Sequence, residues 1–180
     1  MYTIETNQLS MTQITEADWA LFERLNQEED VIRYAFDKPS TEEIRERFES
    51  RLPTWSWPSA HWLCLVIREK KSGTPIGVTG LCLSEGQTTH AEVGYLLLPE
   101  FHGKGYGTES LIGLIDFMSE NFPLERVNAI VTDGNIASCK VLEKAGFTLT
   151  EREKDAYMIG GKYYDDLIYM YHVKETASEL

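Results

Sequence analysis

The sequence predicts an α/β (α+β) fold with a mixed, mostly antiparallel central sheet interrupted by one β-α-β crossover, and three observations predict it. The apolar runs HWLCLVIRE, PIGVTGLCLS and AEVGYLLL follow one another with only KKSGT and SEGQTTH between them. Consecutive antiparallel strands joined by tight connections read this way. After the third run, FHGKGYGT breaks the pattern and a segment with helical spacing follows. The short β-rich run ERVNAIVTD comes next, so the stretch from Val93 to Val131 should form a parallel pair with a right-handed crossover.

The remaining elements are read in order around this centre. LSMTQIT is a strand. TEADWALFERL is a helix, with Thr15 placed to cap it. PSTEEIRERFESRL repeats the design: Ser40 or Thr41 caps, acids fill the first turn, and Ile44, Phe48 and Leu52 recur every four residues. Past the glycine cluster, Leu111, Leu114, Ile115, Met118 and Phe122 keep helical spacing. NIASCKVLEKAG is a helix ended by Gly146, and FTLTERE and KYYDDLIYMYHV are two last strands. The predicted order is β-α-α-β-β-β-α-β-α-β-β, in one domain spanning 1–174 with a polar tail at 175–180.

The chain has 180 residues, enough for one substantial core. With 42% hydrophobic and 26% charged residues it has ordinary globular composition. A net charge of −12 argues against nucleic acid or an anionic membrane as partner and is compatible with a cationic one. The three cysteines are an odd number without CxxC spacing, and Cys64 and Cys82 sit inside apolar runs. Neither a disulfide framework nor a metal site is expected. With no leader-like or membrane-length apolar segment, the expected setting is the cytoplasm. A monomer and a homodimer are equally compatible with the sequence.

Glycine costs backbone entropy on folding, so three glycines in five residues mark a turn with unusual dihedrals or a backbone that something approaches closely. A helix N-terminus carries unpaired N–H groups and partial positive charge, which makes a glycine-rich strand-to-helix turn an anion site. The candidate donors are the amides of Lys104, Gly105, Tyr106, Gly107 and Thr108, with Gly103, Gly105 and Gly107 allowing a diphosphate to come close. GKGYG is neither a P-loop nor GxGxxG. A plain tight turn is the bland alternative, for which one glycine would suffice.

The stretch GYLLLPEFHGKGYGTESL resembles the acetyl-CoA-binding core of the GNAT superfamily of N-acetyltransferases, whose signature is Q/R-x-x-G-x-G/A, and in particular the RimJ/RimL-type ribosomal-protein N-terminal acetyltransferases. NIASCKVLEKAGF is similar to that family's second CoA-contacting helix, and TNQLSMTQITEADW to its first strand and helix. The resemblance covers most of the chain in the right order. It implies that Gly103 to Thr108 hold the CoA pyrophosphate through backbone amides. It also implies that Tyr95, Leu96 and Leu97 offer backbone groups to the pantetheine arm as if it were an added strand. Asn135 would bond the pantetheine or serve as a helix cap, and Lys140 would reach a phosphate or stay a solvated charge. His102 stands at the Q/R position of the signature, a loop position that argues against a role as base.

Acetyl transfer to an amine needs a neutral nucleophile, a polarised thioester carbonyl and a proton for the leaving thiolate. No acyl-enzyme is needed, because a thioester is already activated. The candidate base is Glu92: alternation puts it on one strand face with Gly94 and Leu96, near the thioester end, and burial there would raise its pKa. His90, two residues earlier, is a weaker candidate. The tyrosine acid of many superfamily members is absent, since Leu142 occupies its position. Ser138 is the candidate donor to the thiolate, with direct solvent protonation as the alternative.

The acceptor is expected to be a primary amine, with a protein N-terminal α-amine leading and polyamines, aminoglycosides or amino acids following. RYAFDKPS, KDAYMIGGKYYDD and LPTWSWPSAHW are the expected walls of its cleft. Asp37, Asp165 and Asp166 are candidates to attract it, and Trp55, Trp57 and Tyr157 to line its path. A reading from another class is a CoA-binding domain of this type that has lost catalysis, supported by Leu142 and His102.

Overall fold

The computed structural model describes residues 1–174, so the predicted tail at 175–180 lies outside the described residues. Two strands open the chain, β1 (Thr3–Glu5) and β2 (Leu9–Gln13). A 3₁₀ turn and three helices follow, α1 (Trp19–Gln27), α2 (Glu29–Ile32) and α3 (Thr41–Glu49). The meander is β3 (Leu63–Glu69), β4 (Pro75–Leu83) and β5 (His90–Leu97). The crossover helix α4 (Tyr106–Asn121) leads to β6 (Arg126–Thr132), then α5 (Ile136–Lys144), β7 (Thr148–Ile159) and β8 (Lys162–His172). The predicted order holds, with β1 and α2 added. At three and four residues, both are too short to show a period.

Local chemistry explains the helix starts. Ser40 Oγ accepts from the Glu43 N–H at 3.2 Å while the Glu43 carboxylate accepts from the Ser40 N–H at 2.7 Å, a reciprocal cap that begins α3. Thr15 and Asp18 make a similar box on the 3₁₀ turn ahead of α1. Asn135 caps α5, its Oδ1 accepting from the Ser138 N–H at 3.2 Å.

The eight strands form one sheet in the order β1-β2-β3-β4-β5-β6-β8-β7. Every pairing is antiparallel except β5 with β6. One face packs on α4 and α5, where Ala91, Val93, Val127 and Ala129 meet Leu111, Leu114, Ile115, Met118 and Leu142. The other packs on α1 and α3, where Cys64, Val66 and Val78 meet Leu21, Phe22, Leu25, Ile44 and Phe48. That second helical layer covers β2 to β4, while on β6 of the same face Ile130 is half exposed. The register aligns Cys82, Glu92, Asn128 and Met170 in one row across β4, β5, β6 and β8. Glu92 therefore stands on this face where the helical cover ends. Among the described residues, no helix is long and apolar enough to cross a membrane.

Candidate active site

The parallel pairing of β5 and β6 is short. His90, Ala91 and Glu92 pair with Arg126, Val127 and Asn128, and from Val93 onward the strands diverge. Ser84 N–H donates to His90 O and Leu98 N–H to Ile76 O, so by antiparallel alternation the even-numbered residues of β5 spend their backbone groups on β4. Tyr95 and Leu97 turn theirs to the open edge. The expectation for Leu96 is thereby corrected: its N–H and C=O point to Val78 of β4. At Leu97 the carbonyl is engaged by His102 Nε2 at 2.9 Å, which leaves the N–H.

Beyond β5 the chain makes a 3₁₀ turn at Pro99–Phe101 and enters α4 through Gly103 (φ +73°) and Gly105 (φ +81°). These left-handed dihedrals are what the two glycines supply. Among the described residues no side chain caps the helix, so its first N–H groups point outward. Two side chains brace it from the far side. The Tyr106 hydroxyl donates to the Glu69 carboxylate. The Glu109 carboxylate accepts from Thr6 Oγ1 at 2.6 Å and from Gln8 N and Nε2 at 2.6 and 2.8 Å. Gly107 serves a different purpose from the one expected. A Cβ there would lie 3.2 Å from Val141 and 3.4 Å from Leu97, so this glycine permits close packing of α4, α5 and β5 rather than baring the backbone. Thr108 is half buried in the first turn, while Lys104, His102 and Lys140 are exposed, Lys104 Nζ lying 5.2 Å from the Phe101 ring.

Glu92 is the last β5 residue before the strands part. It is half buried, and burial alone pushes its carboxyl above the usual carboxylate range. Across the pairing, Asn128 Oδ1 is buried without a hydrogen-bond partner among the described residues. Ser138 lies on the opposite side of the sheet, where its hydroxyl is 2.7 Å from the Tyr95 hydroxyl. The same tyrosine reaches Ser138 O at 3.3 Å, and burial pushes its phenol up to about 12. Tyr95 was expected to contribute only its backbone. Strand alternation, which puts Tyr95 on the face opposite Glu92, is the signal that its side chain faces α5.

The segments expected to wall the acceptor cleft meet across long sequence separations. The Gly160 N–H at the tip of the β7–β8 hairpin donates to Asp37 Oδ1 at 2.7 Å. Tyr34 meets the Tyr164 ring edge-on at 6.4 Å, centroid to centroid. Arg152 lies 2.8 Å from both Asp133 and Asp165, and the Asp155 N–H and this arginine hold the Asp165 carboxyl below its usual range. Burial, with Glu153 adding, pushes the Asp166 carboxyl up. Trp55 and Trp57 do not line this path. They pack with Tyr2, Phe117 and Phe122 on the α4 face, Trp57 stacked on Phe122 at 5.0 Å. From the same stretch it is Trp62 that turns to the Glu92 face, its ring 3.7 Å from where a Cβ of Gly94 would be. A separate groove of about 790 Å³ runs between β1 and α4 past Gly105 and Lys144, and neither Glu92, Tyr95 nor Ser138 lines it.

Comparison with known proteins bears on the family and the fold. The family model described as the acetyltransferase (GNAT) domain matches residues 8–148. YdaF of Bacillus subtilis (strain 168), named as a candidate ribosomal N-acetyltransferase, is 30% identical over 107 residues. That match covers 59% of this chain and 58% of the relative, so it spans little more than half of each. Among solved structures, an acetyltransferase from Salmonella typhimurium that modifies the N-terminal serine of ribosomal protein L7/L12 superposes with a TM-score of 0.83 at 20% identity, covering 96% of this chain and 100% of that one. Spermidine N-acetyltransferase from Vibrio cholerae, solved with CoA and spermine, gives 0.79 at 20% identity, covering 93% and 96%.

Proposed function

The chain belongs to the acetyltransferase (GNAT) family, the acyltransferases that use acetyl-CoA, and we propose that within it the protein acetylates a protein N-terminal α-amine by direct attack in a ternary complex. The observation that carries the mechanism is the position of three side chains at the parting of β5 and β6. Glu92 faces one side of the sheet, and the Tyr95–Ser138 pair faces the other.

The residues fit the cosubstrate. The uncapped N-terminus of α4 offers N–H groups and the positive end of the helix dipole to a diphosphate. The open edge at Tyr95 and Leu97 offers backbone groups to a pantetheine arm. Bound there, acetyl-CoA supplies an activated thioester. Glu92 accepts the ammonium proton, directly or through one water, with Asn128 Oδ1 beside it as a second acceptor. The amine then attacks the carbonyl, and the C–S bond breaks as the new C–N bond forms. The acylated nitrogen releases its second proton to water, and the Ser138 hydroxyl, with the Tyr95 hydroxyl at its back, donates a hydrogen bond to the departing thiolate, which takes its proton from water.

Residues 1–174 are read as one N-acetyltransferase domain, and the cytoplasm as its compartment, in keeping with the three cysteines that are free among the described residues. Ribosomal-type relatives support a peptide acceptor, and the spermine-bound neighbour keeps polyamines in the test. Free-thiol release from acetyl-CoA is measured for wild type and Glu92→Gln against N-terminal peptides, polyamines, aminoglycosides and amino acids. Release with peptides, lost in the variant, is the expected result. Release only with another pool moves the acceptor, and acetyl-CoA binding without release from any pool overturns the reading.

A further inference from the structure

We infer that the amine acceptor also carries a negatively charged group, and that Arg51 holds it at the wall of the cleft above Glu92. This deepens the transferase reading and rests on it for the place of the reacting amine.

Arg51 follows α3 and is half buried. Among the described residues its guanidinium has neither a hydrogen-bond nor an ion-pair partner. Its Cζ stands 5.3 Å from the centre of the Trp62 ring. That ring in turn lies 3.7 Å from the Cβ position of Gly94, the next residue after Glu92 on the same strand face, about 6.6 Å along the strand. The guanidinium thus lies over the face of the aromatic that borders the candidate base. A cation–π contact uses none of the guanidinium N–H donors, which leaves them for a carboxylate or phosphate.

Among the described residues, its surroundings hold nothing that satisfies it. Cys64 and Cys82 are near, but burial pushes both thiols up and so keeps them neutral. Glu92 does not serve, because burial is the sole cause of its raised pKa and no arginine pulls it down. Arg47 is close enough to repel, and is itself given to Asn26 Oδ1 at 2.9 Å and to the Phe36 ring at 4.6 Å. Burial disfavours the charge on Arg51. A chain with 29 acidic against 17 basic residues has carboxylates to spare, yet among the described residues none pairs with this cation beside the candidate catalytic centre. Leaving a partly buried charge without a counterion is costly unless a ligand completes it.

The anion is the α-carboxylate of a free amino acid or an acidic side chain near a peptide N-terminus; both present a carboxylate a short distance from the reacting amine. The test uses matched acceptors: an α-amino acid and its carboxamide, and peptides with Glu or Gln at the second position. Calorimetry on CoA-saturated protein reads acceptor binding without turnover, and thiol release reads transfer. In wild type, the charged member of one pair should bind at least tenfold more tightly and show the higher kcat/KM. In Arg51→Met, which keeps an apolar stem on Trp62, the advantage should fall within twofold, with acetyl-CoA affinity and thermal unfolding unchanged. Arg51→Lys keeps the charge but loses the fork, and should retain part of it. The favoured pair identifies the source of the carboxylate. Equal binding of both members in wild type, or an advantage that survives Arg51→Met, overturns the inference while transfer to neutral amines leaves the transferase standing. A charge preference in binding without thiol release supports the Arg51 site and removes the transferase reading instead.

Discussion

The hydroxyls of Tyr95 and Ser138 lie 2.7 Å apart, joining the open strand β5 to helix α5 across the gap where β5 and β6 diverge. The phenol is held protonated by burial, with a pKa of about 12, so the pair is a neutral source of hydrogen bonds at physiological pH.

If Ser138 hydrogen-bonds the leaving sulfur and Tyr95 orients it, Ser138→Ala should lower kcat by about 10²-fold, in the range of a lost transition-state hydrogen-bond donor. Tyr95→Phe should lower it by less, with acetyl-CoA affinity retained in both. The double variant should be no worse than Ser138→Ala, because the residues act as one unit. Additive losses in a double-mutant cycle on kcat would show that they act separately.

Glu92 makes two predictions with pH. With the unprotonated carboxylate as the proposed base, the acidic limb of kcat should have its midpoint above the ordinary value of about 4.3 and vanish in Glu92→Gln. Stability moves the opposite way. A carboxyl whose pKa is raised by folding binds more protons when folded, so its contribution is present below the unfolded value and is lost as pH rises through the folded one. Denaturant unfolding across that window should show wild type losing stability relative to Glu92→Gln as pH increases.

Two glycines at the entry to α4 should respond differently to valine. Gly105→Val forces a side chain to φ +81°, costing about 1–2 kcal/mol in backbone strain, and displaces the amides expected to hold the diphosphate. Acetyl-CoA binding should fall by more than tenfold while the domain stays folded. Gly107→Val instead presses on Val141 and Leu97 and should lower stability by about 1–3 kcal/mol. Calorimetric binding together with thermal unfolding separates the two outcomes.

The bond from the Gly160 N–H to Asp37 Oδ1 ties the β7–β8 hairpin to the segment between α2 and α3. Asp37→Ala should free the hairpin tip and change KM for the acceptor severalfold, leaving the dissociation constant of acetyl-CoA unchanged. A change in acetyl-CoA binding instead would mean that the tether supports the cosubstrate side.

Much of the framework was legible in the chain. The three apolar runs before FHGKGYGT, the acid-rich cap at Ser40 and the repeat of Leu111, Leu114, Ile115 and Met118 are local patterns, and each became the expected element. Periods of 2 and 3.6 also say which face a side chain takes, which is how Glu92 could be named. Trp55 and Trp57 were misplaced because composition draws attention to aromatics without saying which side of the sheet they reach; their partners Tyr2, Phe117 and Phe122 are distant in the chain. Gly107 looked like its neighbours in the motif, yet its role depends on Val141 and Leu97 meeting above it.

Propensities and periods acting over a few residues dictate the longer elements, their order and the glycine-rich entry to α4, while β1 and α2 are too short to carry such a signal. Only the tertiary structure decided where β5 and β6 part, that Tyr95 reaches Ser138 43 residues later, and that Asp37 meets Gly160 across 123 residues. Strand register and the divergence of two strands are set by the packing of α4, α5 and the sheet as a whole. No local pattern encodes the distance between side chains that only such packing brings together.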